Sequence, residues 1–333
     1  MRTIRPSELA KQAELAALAG QSIMIWGAPG IGKSEIVYQL GNKLNAKVFE
    51  IRANLFDPVD VRGGLKVVEQ MDGTYRTRYG VPEDYPDSKY QGTVLLFIDD
   101  LTHAPKATQN ALLQLLLCRR IGTYELPPNT IIVAAGNRSF DRAGAIDMTT
   151  AVKSRFRHYV MEAHIDDFCA HAHRVGMDAS IPAFLRYRPN LLHDIDGEAY
   201  AFPTPRTWSF VNDALPHIVE DGFYDIASCV GDGAAGEYLS FRKIYHELPD
   251  IEQIVRSPGS VRVPDSPSTL YAVAGALSSR ANQQDIKPIM TYLRRLPSEY
   301  QVVAVKDILG KDRSLASEAS IQQYISDNAS LIF

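Results

Sequence analysis

The chain has 333 residues, 45% of them hydrophobic and 22% charged, which is enough for two domains with their own cores and is not the composition of a disordered chain. Its 35 basic and 39 acidic residues leave a net charge of −4, which argues against a surface given over to nucleic acid; three scattered cysteines, Cys118, Cys169 and Cys229, argue against a disulfide framework or a zinc site. No apolar run reaches membrane-spanning length, and the first 20 residues carry charges throughout, so a cytoplasmic protein without a signal peptide or membrane span is expected.

In chain order, a helix is predicted over 7–19, with Ser7 as cap and Gly20 as stop, followed by a buried strand "SIMIW" at 22–26. A helix over 33–45 leads to the strand "KVFEI" at 47–51. In 65–79 apolar and polar residues alternate around Asp72-Gly73, a β-hairpin signal, and such an insert must project from an α/β domain. The strand "TVLLFID" (93–99), a helix over 105–119, the strand "TIIVAAG" (130–136), a helix over 148–155 and a weaker fifth strand "HYVMEA" (158–163) follow. Strands that are apolar throughout are buried on both faces, which implies a parallel sheet between helices. Beyond residue 163 the pattern is helical, broken at 186–190, 202–206, 246–250 and the Pro/Ser-rich connector 256–268, with helices over 268–281, 284–295, 298–309 and 318–331. The expected domains are 1–163 and 164–333.

"GAPGIGKS" at 27–34 matches G-x-x-x-x-G-K-[ST] between a strand and a helix, the context that gives the motif meaning. Gly27, Gly30 and Gly32 let the backbone bend so that N–H groups line one concavity, with Ala28, Pro29 and Ile31 completing the loop. Lys33 can reach the β- and γ-phosphates of a nucleotide, and the Ser34 hydroxyl can ligate Mg²⁺. The strand ending at Asp99-Asp100 offers the metal a carboxylate from Asp99, leaving Asp100 toward the γ-phosphate and the attacking water. "TPRT" reads as a helix start with Thr204 capping and Pro205 in the first turn; a cation at Arg206 opposes the helix dipole there, so an anion nearby would suit it.

On these motifs the sequence resembles the AAA+ ATPases, and within them the MoxR group. "GAPGIGKS" looks like Walker A and "LLFIDD" like Walker B, and the stretch from there to "GNR" resembles the region up to sensor 1. "DPVDVRGG" resembles the lead into the helix-2 insert, "VKSRFRHYV" the arginine-finger region and "FPTPRTW" the sensor 2 region. The resemblance implies a five-stranded core of order 5-1-4-3-2, an α-helical lid and a hexameric ring. It implies ATP and Mg²⁺ as cofactors, hydrolysis of ATP to remodel a protein target, and a partner carrying a von Willebrand factor A domain. It makes Asn137 sensor 1, Arg206 sensor 2 and Arg155 the finger that reaches a neighbouring protomer, with Arg157, Arg138 and Arg142 as rivals.

Asp100 departs from the family, which usually has Glu there. Aspartate has similar acidity but a carboxylate one methylene closer to the backbone, and about 1 Å of misplacement can cost on the order of a hundredfold in rate. Slow hydrolysis, or a nucleotide-gated scaffold with little turnover, follows; a nucleic-acid motor or loader is the other alternative, resting on Arg76, Arg78, Arg119 and Arg120. Cys169 and His173 share a helical face, but two ligands do not make a metal site.

Overall fold

The structure is a computed structural model that describes residues 2–121, 124–141, 144–219 and 221–328. The chain divides into two compact units, one ending at Glu162 and one beginning at Ala163.

The first unit runs β1 (Thr3–Ile4), α1 (Pro6–Leu18), β2 (Ile23–Trp26), α2 (Lys33–Lys43), β3 (Lys47–Arg52), α3 (Pro58–Arg62), β4 (Leu65–Glu69), β5 (Tyr75–Tyr79), β6 (Val94–Asp99), α4 (Lys106–Cys118), β7 (Arg120–Ile121), β8 (Tyr124–Glu125), β9 (Thr130–Gly136), α5 (Thr150–Lys153) and β10 (Arg157–Met161). The main sheet is parallel throughout, in the order β1-β10-β2-β9-β6-β3. The five expected strands therefore lie in the order 5-1-4-3-2. The expectation of five is corrected to six, because Thr3–Ile4 adds a short edge strand beside β10.

Burial explains the strand sequences. Val94 to Ile98 are completely buried, because helices cover both faces. Alternate residues go to opposite sides: Leu96 and Ile98 join Met24, Ile132 and Ala134 in the core under α4, whereas Phe97 meets Tyr38 of α2 edge-on. Asp99 shares the parity of Phe97 and so points to the α2 side. The hairpin β4–β5 is antiparallel with Leu65 opposite Tyr79 and Glu69 opposite Tyr75, and its strands are almost wholly exposed. Gly73 has φ 78°, the conformation that its turn requires. A second ribbon, β7–β8, was not anticipated, and the helix expected over 148–155 shortens to the four residues of α5, with Thr149 as its cap.

The second unit contains α6 (Ile165–Val175), α7 (Ser180–Tyr187), α8 (Pro205–Ala214), α9 (Phe223–Val230), α10 (Asp232–His246), α11 (Ile251–Arg256), α12 (Pro267–Arg280), α13 (Ile286–Leu293), α14 (Ser298–Lys311) and α15 (Ala319–Asp327). The helix expected over 318–331 ends, as far as the described residues go, at Asp327. One core gathers Phe184, Trp208, Tyr238 and Phe241; another gathers Ile254, Leu277, Ile289, Tyr292 and Ile308. Arg186 of α7 is buried between Asp166 of α6 and Asp307 of α14, tying three helices by charge. At α8, Thr204 and Thr207 form a reciprocal capping box: the Thr207 amide donates to Thr204 Oγ1 at 3.1 Å and the Thr204 amide to Thr207 Oγ1 at 2.8 Å.

Candidate functional site

The loop between β2 and α2 needs its glycines for different reasons. Gly27 is hemmed in: an added Cβ would lie 2.4 Å from Ile31 Cδ1 and 2.9 Å from the Met161 carbonyl oxygen. Gly30 and Gly32 adopt φ of 75° and 93°, and Gly32 caps α2 in the left-handed region. Such alternation of backbone handedness makes a concavity of amide groups suited to an anion, and the N-terminus of α2 adds its partial positive charge. Ala28 and Ile31 are buried and Pro29 is half-buried, which anchors the loop from below.

Lys33, in the first turn of α2, is buried and donates from Nζ to Gly27 O at 2.8 Å, Ala28 O at 2.9 Å and Asn137 Oδ1 at 2.6 Å. The loop lysine and the asparagine ending β9 thus meet across 104 residues of sequence. Asn137 is itself buried, its backbone N–H donating to Thr102 Oγ1 at 2.9 Å. Gly136 just before it has no room for a Cβ, which would lie 2.6 Å from Thr102 Oγ1. Sequence reasoning missed Thr102; no local pattern marks it.

Ser34 Oγ donates to Asp99 Oδ2 at 3.2 Å. The Asp99 carboxyl is raised above its ordinary value, chiefly by burial and also by the neighbouring Asp100 charge, against the lowering effect of hydrogen bonds from the Asp100 amide and Ser34. A hydroxyl and a half-buried carboxylate that is costly to ionise form a hard oxygen pair that suits Mg²⁺, and the loop beside it suits a phosphate chain. Asp100 follows in the left-handed region at φ 51°, ψ 34°, and its Oδ1 lies 3.5 Å from His103 Nδ1. Beside the cluster on the α2 side, Glu50 accepts from Tyr38 Oη and, at 2.9 Å, from Arg52 Nε. This trio was also unforeseen in the sequence.

The arginines separate. Arg138 is held in a fork by Asp141, with Nη2 to Oδ1 at 2.8 Å, and its guanidinium lies over Phe140 at 4.5 Å. The Arg–Asp spacing of three could have flagged that pairing. Arg155 is exposed on the turn between α5 and β10, outside the strand. Arg157 is the first residue of β10 and donates to Gln21 Oε1 at 3.3 Å, so the two arginines do not share a strand face. Arg142 lies outside the described residues. Arg206 is exposed at the second position of α8, in the second unit. The structure therefore brings together Lys33 with Asn137 and Ser34 with Asp99, and within the first unit it leaves Arg155 outside that cluster of contacts.

Residues 2–166 match the family model described as the MoxR domain in the MoxR-vWA-beta-propeller ternary systems. No curated protein matches the chain. Among solved structures, NtrX from Brucella abortus in complex with ADP is similar at 15% identity and a TM-score of 0.42, over 98% of this chain and 68% of that one. The Holliday junction branch migration motor RuvB of Thermotoga maritima is similar at 16% identity and a TM-score of 0.40, over 86% of this chain and 85% of that one.

Proposed function

The N-terminal half of this chain belongs to the MoxR family of AAA+ ATPases, and we propose that the protein binds ATP with Mg²⁺ in the loop 27–34 and hydrolyses it to remodel a protein target. The observation that carries this reading is the convergence of Lys33, Asn137, Ser34 and Asp99 on one loop and helix start. Lys33 balances the terminal phosphates, exchanging its bonds to neutral protein oxygens for phosphate oxygens. Ser34 and Asp99 hold Mg²⁺, which when bound withdraws charge from the β- and γ-phosphates. Asn137 positions the attacking water, and Asp100 accepts its proton. Arg155, exposed at the end of α5, acts on the pocket of a neighbouring protomer in a hexameric ring, and Arg206 serves as sensor 2. The first unit is the nucleotide-binding domain and the helical unit the lid.

The family's description supports a ternary system in which this chain works with a von Willebrand factor A domain protein, which selects the target, and a β-propeller protein. No helix among the described residues is long and apolar enough to cross a membrane, and a cytoplasmic location fits the reading. A second reading, a nucleotide-gated scaffold with little turnover, draws on the position of Asp100 beside His103. Phosphate release by the purified chain decides between them. Steady release that Lys33→Ala abolishes supports the ATPase; tight binding of ATP without release supports the scaffold; no Mg-dependent binding of ATP sinks both.

A further inference from the structure

Trp26 is the last residue of β2 and immediately precedes Gly27 of the loop. Its indole Nε1 donates to His158 Nδ1 at 2.9 Å, and the two rings stack with centroids 5.9 Å apart and planes at 27°. The other ring nitrogen, His158 Nε2, lies 2.7 Å from the Lys153 carbonyl oxygen. An indole nitrogen only donates and a carbonyl oxygen only accepts, so both partners dictate the same state of the imidazole. Nδ1 must be the bare acceptor and Nε2 must carry the hydrogen. A second proton on Nδ1 would set donor against donor at Trp26.

Lys153 is the last residue of α5, and its carbonyl, at the helix end, also accepts from the Phe156 amide at 3.3 Å, so the imidazole and the turn share one acceptor. Four residues on, the Arg157 amide donates to Ser22 O of the chain entering β2 at 2.8 Å. The segment between α5 and β10 is thus pinned at both ends to the β2 strand: at Lys153 through His158 and Trp26, and at Arg157 through Ser22. Three residues remain between the pins, and exposed Arg155 is the middle one. Phe156 is buried and meets the His158 ring edge-on at 6.3 Å, which closes the turn from beneath.

We propose that His158 is a positioning residue that couples the strand leading into the phosphate loop to the turn bearing Arg155. The inference rests on the nucleotide reading above. A change at Gly27 on nucleotide binding moves the adjacent Trp26, and the imidazole passes that displacement to the carbonyl at the root of the Arg155 turn. Each ring nitrogen has one role, so the link needs the single tautomer with hydrogen on Nε2.

Hydrogen exchange of the full chain, with and without ATP and Mg²⁺, tests the coupling. It is run at a concentration where the chain is monomeric. Peptides covering 27–36 report occupancy of the loop and peptides covering 150–157 report the turn. In the wild type, nucleotide is expected to slow exchange in both. His158→Phe, which keeps a stacking ring and loses both hydrogen bonds, is expected to keep protection of 27–36 and lose it in 150–157. His158→Gln, whose amide can accept at one atom and donate at the other, is expected to restore it. Trp26→Phe should behave as His158→Phe. Equal nucleotide-dependent protection of 150–157 in wild type and His158→Phe would overturn the coupling, as would failure of His158→Gln to restore what His158→Phe loses. A wild-type loop left unprotected by nucleotide would instead remove the nucleotide reading itself.

Discussion

Ser34 and Asp99, 65 residues apart in sequence, share a hydrogen bond of 3.2 Å that joins the first turn of α2 to the end of β6. The Asp99 carboxyl is raised by burial, so folding favours its neutral form. The ionised group is therefore a cost to the metal-free protein at neutral pH, and that cost shrinks as pH falls through the raised value. Asp99→Asn, a neutral near-isostere, should raise the metal-free melting temperature at pH 7 by on the order of 2 °C. The gain should fade in acid, where the wild-type group is itself protonated. The same substitution should erase the Mg-dependent part of ATP affinity. Melts in chelator and calorimetric titrations with and without Mg²⁺ check the two halves.

Asp100 occupies left-handed backbone, a region that aspartate and asparagine tolerate better than longer side chains. That gives a physical reason for Asp where the family usually has Glu. Asp100→Asn should leave stability unchanged and cut hydrolysis by roughly a hundredfold or more. Asp100→Glu should cost about 1 kcal/mol of stability, from the strain of a longer side chain there. It should also hydrolyse ATP faster than wild type at unchanged nucleotide affinity. Urea denaturation and phosphate release, measured on the same three proteins, give both axes.

Gly63 lies at the root of the hairpin with φ 84°, and a Cβ there would sit 1.6 Å from Gly80 O. Gly63→Ala should therefore force the root apart and break the hydrogen bond from the Gly80 amide to Gly64 O, now 2.7 Å. The strain is about 1–3 kcal/mol. Faster amide exchange over 64–80, with ATP affinity within about twofold of wild type, is the expected result.

Arg186 is buried with Asp307, and Asp166 accepts from it on the other side. Arg186→Met would leave both carboxylates without this partner and should cost about 3–5 kcal/mol, read as a lower urea midpoint for the helical unit. Burial alone would raise the Asp166 carboxyl, but the hydrogen bond and charge of Arg186 outweigh it and hold the group below its ordinary value. A depressed carboxylate stabilises the fold above its unfolded value, about 3.9, and that contribution is lost as pH falls further through the folded value. The wild type should thus lose stability below about pH 4 more steeply than Arg186→Met.

The parts of the fold legible beforehand were those with long signals. Val94–Asp99 and Thr130–Gly136 announce a buried parallel sheet because no residue facing solvent interrupts them. Asp72-Gly73 announces the hairpin, and Thr204-Pro205 the start of α8. Strands of two residues, Thr3–Ile4 and the β7–β8 ribbon, carry no period and are defined only by the partner that they pair with. At the site, the loop and the paired aspartates could be read from spacing. The bond from Lys33 to Asn137, the Thr102 hydroxyl beneath it and the His158 bridge could not, since each joins residues whose proximity exists only after folding. Left-handed Asp100 was invisible for a different reason: side-chain identity there suggested chemistry, while the backbone supplies the constraint.

The hairpin contributes no residue to the buried cores among the described residues, and its strands pair only with each other. Changes at its strand positions, from Leu65 to Glu69 and from Tyr75 to Tyr79, can accumulate without loosening the main sheet, provided Gly63 at its root and Gly73 in its turn are kept. Apart from the turn, where Asp72 Oδ1 accepts from the Thr74 amide and hydroxyl, the fold asks little of those side chains, so the ribbon is the place where the protein can be re-addressed to a new contact while the loop 27–34 is left alone.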